Sequence, residues 1–184
     1  MTSYRRLRIS GGSYAFTLCL EERGSTLLLD RIDPLRAAWR EAFMAFPATL
    51  HAVVILPDHL HVVLTEPEGE VHFSHRWQRL KARFSQGIAE RAPPRPSLAR
   101  KREAGIWQRR FWEHALRDGD AVQQAMAYCR HDPVRHGLVR DAADWPYLTL
   151  RDGPARAWPS PPGARVAGPR RMGHPAHGPF GPSP

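Results

Sequence analysis

A chain of 184 residues and 20.9 kDa has the length of one domain with room for a tail, and its 42% hydrophobic and 24% charged content is that of an ordinary globular protein. Lys and Arg number 27 against 18 Asp and Glu, a net charge of +9, which points to a polyanionic partner, nucleic acid before membrane; the other reading is a basic, merely solvated surface. Two cysteines, no apolar run near ~20 residues and no apolar signal core in residues 1–10 argue against a disulfide scaffold and a membrane span, and predict a reduced, cytoplasmic protein.

Tyr4, Arg5, Arg6 and Arg8 open the chain as a basic arm with one aromatic, suited to a single strand whose bases are free to stack. After Gly11-Gly12, residues 13–20 read as a strand. Asp33 as cap and Pro34 in the first turn predict a helix start. Leu35, Ala38, Trp39, Ala42, Phe43 and Phe46 give that helix one apolar face, and Pro47 ends it. Residues 50–56 and 59–65 read as two strands of a hairpin around the turn signal Pro57-Asp58. Phe73, Trp77, Leu80, Phe84 and Ile88 mark a second amphipathic helix. On it Arg76, Arg79 and Arg83 form a basic ridge, either a track for a phosphate backbone or an ordinary solvated face. Residues 91–105 read as a Pro- and Arg-rich loop, and Arg109 and Arg110 offer further phosphate contacts. A short strand is expected over 111–117, then a helix from Asp118 to Asp132 stopped by Pro133. His136-Gly137 and Trp145-Pro146 mark the end of the domain. Trp39, Trp77, Trp107, Trp112 and Trp145 are expected as core or domain-closing residues rather than base platforms.

Residues 155–184 hold four Arg, no acidic residue, 8 of the 18 prolines and 5 of the 14 glycines. Such a segment buries too little apolar surface to offset its ordering entropy, so it reads as a disordered basic tail. The expected division is a domain over 1–152 and a Pro/Gly/Arg-rich tail over 153–184. The order of elements predicts an α+β fold, a ferredoxin-like antiparallel sheet with helices packed on one face.

The chemistry concentrates in two places. His59-Leu60-His61 starts the second hairpin strand, so both imidazoles lie on one face, about 6–7 Å apart at their Cα atoms. They are either a ligand pair for one divalent cation or two solvated histidines. Tyr128 and Asp132, at i and i+4, share one face of the last helix. They are either a hydroxyl beside a further ligand, or a packing aromatic and a turn residue.

The string Leu-Pro-Asp-His-Leu-His-Val-Val-Leu-Thr-Glu-Pro-Glu-Gly over 56–69 resembles the HUH segment (histidine, bulky hydrophobic, histidine) of bacterial tyrosine transposases, in the HUH endonuclease superfamily. The resemblance continues in Trp-Gln-Arg-Arg-Phe-Trp-Glu-His over 107–114, in Ala-Tyr-Cys-Arg-His-Asp-Pro-Val-Arg-His-Gly-Leu-Val over 127–139, and in Asp-Trp-Pro-Tyr over 144–147. Tyr4-Arg5-Arg6 with Gly11-Gly12 is similar to the REP-associated branch, whose members act on repetitive extragenic palindromes. The resemblance implies that His59, His61 and Asp132 hold Mg²⁺ or Mn²⁺ and that Tyr128 is the nucleophile. It implies a metal-dependent endonuclease and transposase that cuts single-stranded DNA next to a hairpin through a 5′-phosphotyrosine and can rejoin strands. The implied partner is hairpin-bearing single-stranded DNA, bound in the cytoplasm in association with the nucleoid; the REP-associated branch implies a monomer, and the insertion-sequence relatives a dimer. Asp132 departs from the Asn usual in this branch, and Cys129-Arg130-His131 departs from the more aliphatic residues common there. The Asp132 departure sustains an alternative, a domesticated hairpin-binding protein that does not cut. A third reading is a basic structural protein that binds nucleic acid mainly through its tail.

Overall fold

The structure, a computed structural model, describes residues 8–88 and 105–154, the last four for their backbone alone. Five strands form one antiparallel sheet: β1 (Ser13–Cys19), β2 (Thr49–Ile55), β3 (His59–Thr65), β4 (Trp112–Leu116) and β5 (Leu148–Pro154), in the order β4-β1-β3-β2-β5. The expected α+β sheet fold is therefore present. A helical turn, α1 (Leu27–Asp30), leads into α2 (Ile32–Ala45); α3 (Phe73–Gly87) and α4 (Gly119–Arg135) follow. Among the described residues no helix is long and apolar enough to cross a membrane.

The central strand β3 is flanked by β1 and β2, which fixes its register on both sides: Thr17 faces His61, and Leu60 faces both Leu18 and Ile55. Side chains alternate along a strand, so β3 sorts its residues into two layers. Leu60, Val62 and Leu64 join Tyr14, Phe16, Leu18, Val53 and Ile55 beneath α2 and α3, which contribute Trp39, Phe43, Phe73, Trp77 and Phe84. Val63 joins Ala15, Ala52 and Val54 on the opposite face, beneath Ala125 and Cys129 of α4. Helices thus cover both faces, not one. The first six residues of β3 are buried, the pattern of a strand covered on both sides.

The sequence expectation fails at three boundaries. Asp33 does not cap α2: α1 runs into α2 with only Arg31 between, so Asp33 lies inside the first turn and pairs with Arg36 at 2.9 Å. Pro133 does not stop α4. It falls in the last turn, where a missing N–H costs one backbone bond, and the helix continues to Arg135. Gly137, at φ +64°, makes the left-handed turn that ends it, with the His136 N–H donating to the Asp132 carbonyl at 2.9 Å. β5 is not among the expected strands, because it lies beyond Trp145-Pro146, where the sequence marks the end of the domain. It pairs only with β2, at the sheet edge where Gly and Pro are tolerated. Trp39, Trp77 and Trp145 are buried, as expected for core residues. The tail expected over 153–184 lies outside the described residues from 155 on.

Candidate metal and tyrosine site

Strand alternation and the last helix meet at one place. His59 and His61 leave β3 on the α4 side, their rings 5.1 Å apart and nearly perpendicular. Asp132 descends on them from α4, with its Oδ2 3.2 Å from His61 Nε2 and 3.9 Å from His59 Nε2. His136, one helical turn further, brings its Nε2 within 3.7 Å of the other Asp132 oxygen, Oδ1. Tyr128, one turn before Asp132, is half-buried with its ring perpendicular to His61 at 5.4 Å. Arg135 completes the cluster: its guanidinium carbon lies 4.7 Å from the Tyr128 ring centre, and its terminal nitrogen 3.7 Å from Asp132 Oδ1.

Each strand histidine has its far nitrogen engaged. His59 Nδ1 lies 2.5 Å from Asp58 Oδ1. Burial pushes the Asp58 carboxyl up, but the hydrogen bond and charge of His59, with the Gly24 N–H and Arg23, outweigh it and bring the carboxyl to about 2. Burial lowers His59 to about 4 against the opposing hydrogen bond that His59 donates to Asp58. At neutral pH the pair is therefore a carboxylate accepting from a neutral imidazole. Nδ1 carries the proton and the Nε2 lone pair is left for the site. His61 Nδ1 lies 2.8 Å from the Thr17 hydroxyl, its neighbour across the β1–β3 pairing. Thr17 thus holds the His61 ring with its Nε2 turned to Asp132.

Asp132 is 1% exposed, and neither carboxylate oxygen has a hydrogen-bond partner. Burial raises its carboxyl, yet the three histidines together hold it below the usual range, so it is ionised. A buried carboxylate facing imidazole nitrogens without a directed hydrogen bond is costly, and a cation among these donors relieves the cost. His59, Asp132 and His136 each offer a ligand atom within 4.8 Å of the others. The residues present thus fit a divalent cation. Burial and the Asp132 charge both push the Tyr128 hydroxyl up, with Arg135 opposing.

The basic residues do not all converge here. Arg76 is wholly buried: its guanidinium donates to both Glu66 oxygens at 2.5 and 3.1 Å, and to the Phe46 and Pro47 carbonyls at 2.7 and 2.9 Å. It is a structural residue, not part of a phosphate-facing ridge. Arg79 and Arg83 share Glu41 of α2, each at 2.6 Å. They belong to the helix layer across the sheet from Tyr128. Arg8 is exposed, 6.0 Å from the Phe73 ring centre, and Arg109 and Arg110 are exposed ahead of β4. Tyr4, Arg5 and Arg6 lie outside the described residues. A groove of about 970 Å³ opens beside α4, lined by residues including Ser13, His51, Thr65, Asp118 and Gln123. Ser13 and Thr65 share the sheet face of Thr17 and His61, so this groove and the histidine cluster lie on one face.

The sequence reading missed His136, Arg135, Asp58 and Thr17. His136 and Arg135 were legible only as the i+4 and i+3 partners of Asp132, and a helix ended at Asp132 hides both. Thr17 is 44 residues from His61 and meets it only through strand pairing.

No family model matches the chain. A Haemophilus influenzae relative named for the REP-associated tyrosine transposases is 37% identical over 161 residues, spanning 86% of this chain and 92% of its own. The REP-associated tyrosine transposase of Escherichia coli K12 is 36% identical over 156 residues, spanning 85% of this chain and 87% of its own. A solved structure of a REP-associated tyrosine transposase bound to a REP hairpin superposes with a TM-score of 0.68 at 36% identity, covering 80% of this chain and 82% of that one.

Proposed function

The chain belongs to the REP-associated tyrosine transposase family, and from that premise we propose that it cleaves single-stranded DNA beside a hairpin through Tyr128, with His59, His61 and Asp132 holding Mg²⁺ or Mn²⁺. One observation carries the reading: Tyr128 stands 5.4 Å from His61 and one turn from Asp132, so a hydroxyl nucleophile adjoins a ready donor set. A bound divalent cation supplies charge neutralisation at the scissile phosphate and favours the phenolate. The chain's own groups do the rest. Asp58 and Thr17 hold the two imidazoles, and the Tyr128 ring stands edge-on to His61. Attack by the Tyr128 hydroxyl forms an O–P bond as the P–O3′ bond breaks, leaving a 5′-phosphotyrosine and a 3′-hydroxyl, with the phenol proton passing to the departing oxygen through solvent. The phosphodiester is conserved, so a later hydroxyl can reverse the step on another strand. The groove on the same face, walled by the start of α4, is where a single strand would lie beside the site. Arg8, Arg109 and Arg110, with Tyr4, Arg5 and Arg6, supply phosphate and stacking contacts, and Arg79 and Arg83 contact flanking DNA only by leaving Glu41. The partner is hairpin-bearing DNA, the working unit is a monomer in the cytoplasm, and the catalytic unit ends with β5 at Pro154, two residues past the expected boundary and ahead of the basic tail.

A full-chain assay tests this. A single-stranded hairpin oligonucleotide labelled at its 3′ end, incubated with Mn²⁺, is expected to give a covalent adduct on a denaturing gel, while the same oligonucleotide labelled at its 5′ end is expected to release a free fragment. Tyr128→Phe abolishes the adduct and keeps hairpin binding. The raised Tyr128 hydroxyl and the extra negative charge of Asp132 favour one competitor, a hairpin-binding protein without cleavage. A reversible complex with no adduct from the wild-type chain decides for that competitor.

A further inference from the structure

His136 is a donor in the cluster to which neither the family resemblance nor the reading above gives a role. It reaches the cluster because α4 runs past Pro133: His136 follows Asp132 by one turn, and its Nε2 faces Asp132 Oδ1 at 3.7 Å while Oδ2 faces His61 and His59 at 3.2 and 3.9 Å. The carboxylate is thus divided among three imidazoles. Its ring centre also lies 5.2 Å from that of His59. Donors about 2.1 Å from a shared octahedral ion sit roughly 3–4.2 Å from one another. The separations from Asp132 fall in that span, and the ligand atoms of His59, Asp132 and His136 lie within 4.8 Å of one another, a group without His61, which must close on the others for all four to share one ion. Arg135 is the other neighbour of Oδ1, also at 3.7 Å, and is a cation that cannot serve as a ligand. The His136 side chain is 25% exposed, so it stands at the solvent side of a cluster whose other donors are almost wholly buried.

We propose that His136 is a fourth protein donor, and that it makes the site a three-imidazole, one-carboxylate set that selects a transition-metal ion over Mg²⁺. Mg²⁺ favours oxygen ligands and keeps its waters, whereas imidazole suits transition metals, most strongly the later ones, so each added histidine moves the preference away from Mg²⁺; Mn²⁺, the least imidazole-seeking of that series, is the most stringent probe of the shift. The proposal rests on the reading that His59, His61 and Asp132 hold a cation at all, and the test separates the two.

The full chain and its His136→Ala and His136→Gln variants are titrated with MnCl₂ and with MgCl₂ by calorimetry, and the imidazole nitrogens on bound Mn²⁺ are counted by pulsed electron paramagnetic resonance. The expected result is three coupled imidazoles in the wild type and two in either variant. Mn²⁺ affinity should fall roughly tenfold or more in the variants, while Mg²⁺ affinity changes far less. Two imidazoles in the wild type, or unchanged Mn²⁺ affinity in both variants, overturns the role of His136. The wild-type count needs no variant, so misfolding of a variant cannot mask the outcome. If His59→Ala binds Mn²⁺ as well as the wild type, the underlying cation reading itself is wrong.

Discussion

Asp58 points away from the centre of the cluster, yet it decides what His59 offers. Its carboxylate takes the Nδ1 proton at 2.5 Å and is itself held by the Gly24 N–H at 2.7 Å and by Arg23 at 3.4 Å. This outer partner fixes both the tautomer and the ring orientation of a ligand histidine. Asp58→Ala is therefore expected to weaken Mn²⁺ binding by about 10–100-fold without unfolding the chain. Asp58→Asn keeps an acceptor and is expected to recover most of the loss, an ordering read by competition titration against a coloured chelator. Equal affinity in all three proteins would show that His59 needs no outer partner. In sequence Asp58 was visible only as the turn residue after Pro57. Its second role depends on Arg23 and Gly24, more than thirty residues upstream in the chain, and local pattern carries no such information.

The elements that position the site differ in how plainly they were written. β3 was legible to its end residues, because His-Leu-His and the apolar run Val62-Val63-Leu64 lie between Pro57-Asp58 and Glu66-Pro67. α4 was legible at its start, where Asp118 accepts from the Ala121 N–H at 2.8 Å as an N-cap should, but not at its end. Proline there is a local signal that the packing of α4 on β2 and β3 overrides. The opposite helix layer held a different surprise. At helical spacing Arg76 looks like one of three ridge arginines, but it turns inward and ties α3 to the end of β3 through Glu66 and to the α2–β2 connection through the Phe46 and Pro47 carbonyls. Removing one partner of a buried pair strands the other charge. Arg76→Met is expected to destabilise the fold by about 3–5 kcal/mol in urea unfolding. Pairing it with Glu66→Leu removes the stranded charge and is expected to restore much of the loss. If Arg76→Met instead leaves stability intact and weakens DNA binding in a salt-dependent way, the ridge reading returns.

Across the whole molecule the net charge of +9 has two parts: four arginines and no acidic residue fall in residues 155–184, leaving +5 for everything before them. The two parts make different predictions. Arginines that only track a backbone raise affinity for any strand and steepen its salt dependence, by about 0.7 per phosphate for single-stranded DNA. Contacts that choose a hairpin over an unstructured strand must instead come from surfaces of fixed shape, and the sheet face bearing the groove and Tyr128 is one. Replacing Arg156, Arg165, Arg170 and Arg171 together by Gln in the full chain should flatten the plot of log affinity against log salt by up to about 3. The ratio of hairpin to unstructured-strand affinity should hold, and so should the yield of the Tyr128-dependent adduct at low salt. A collapse of that ratio would place hairpin choice in the tail and leave the folded domain as a cutting unit delivered by it. An unchanged slope would mean that the tail arginines stay off the DNA, so that the whole electrostatic attraction arises from the +5 of the preceding residues.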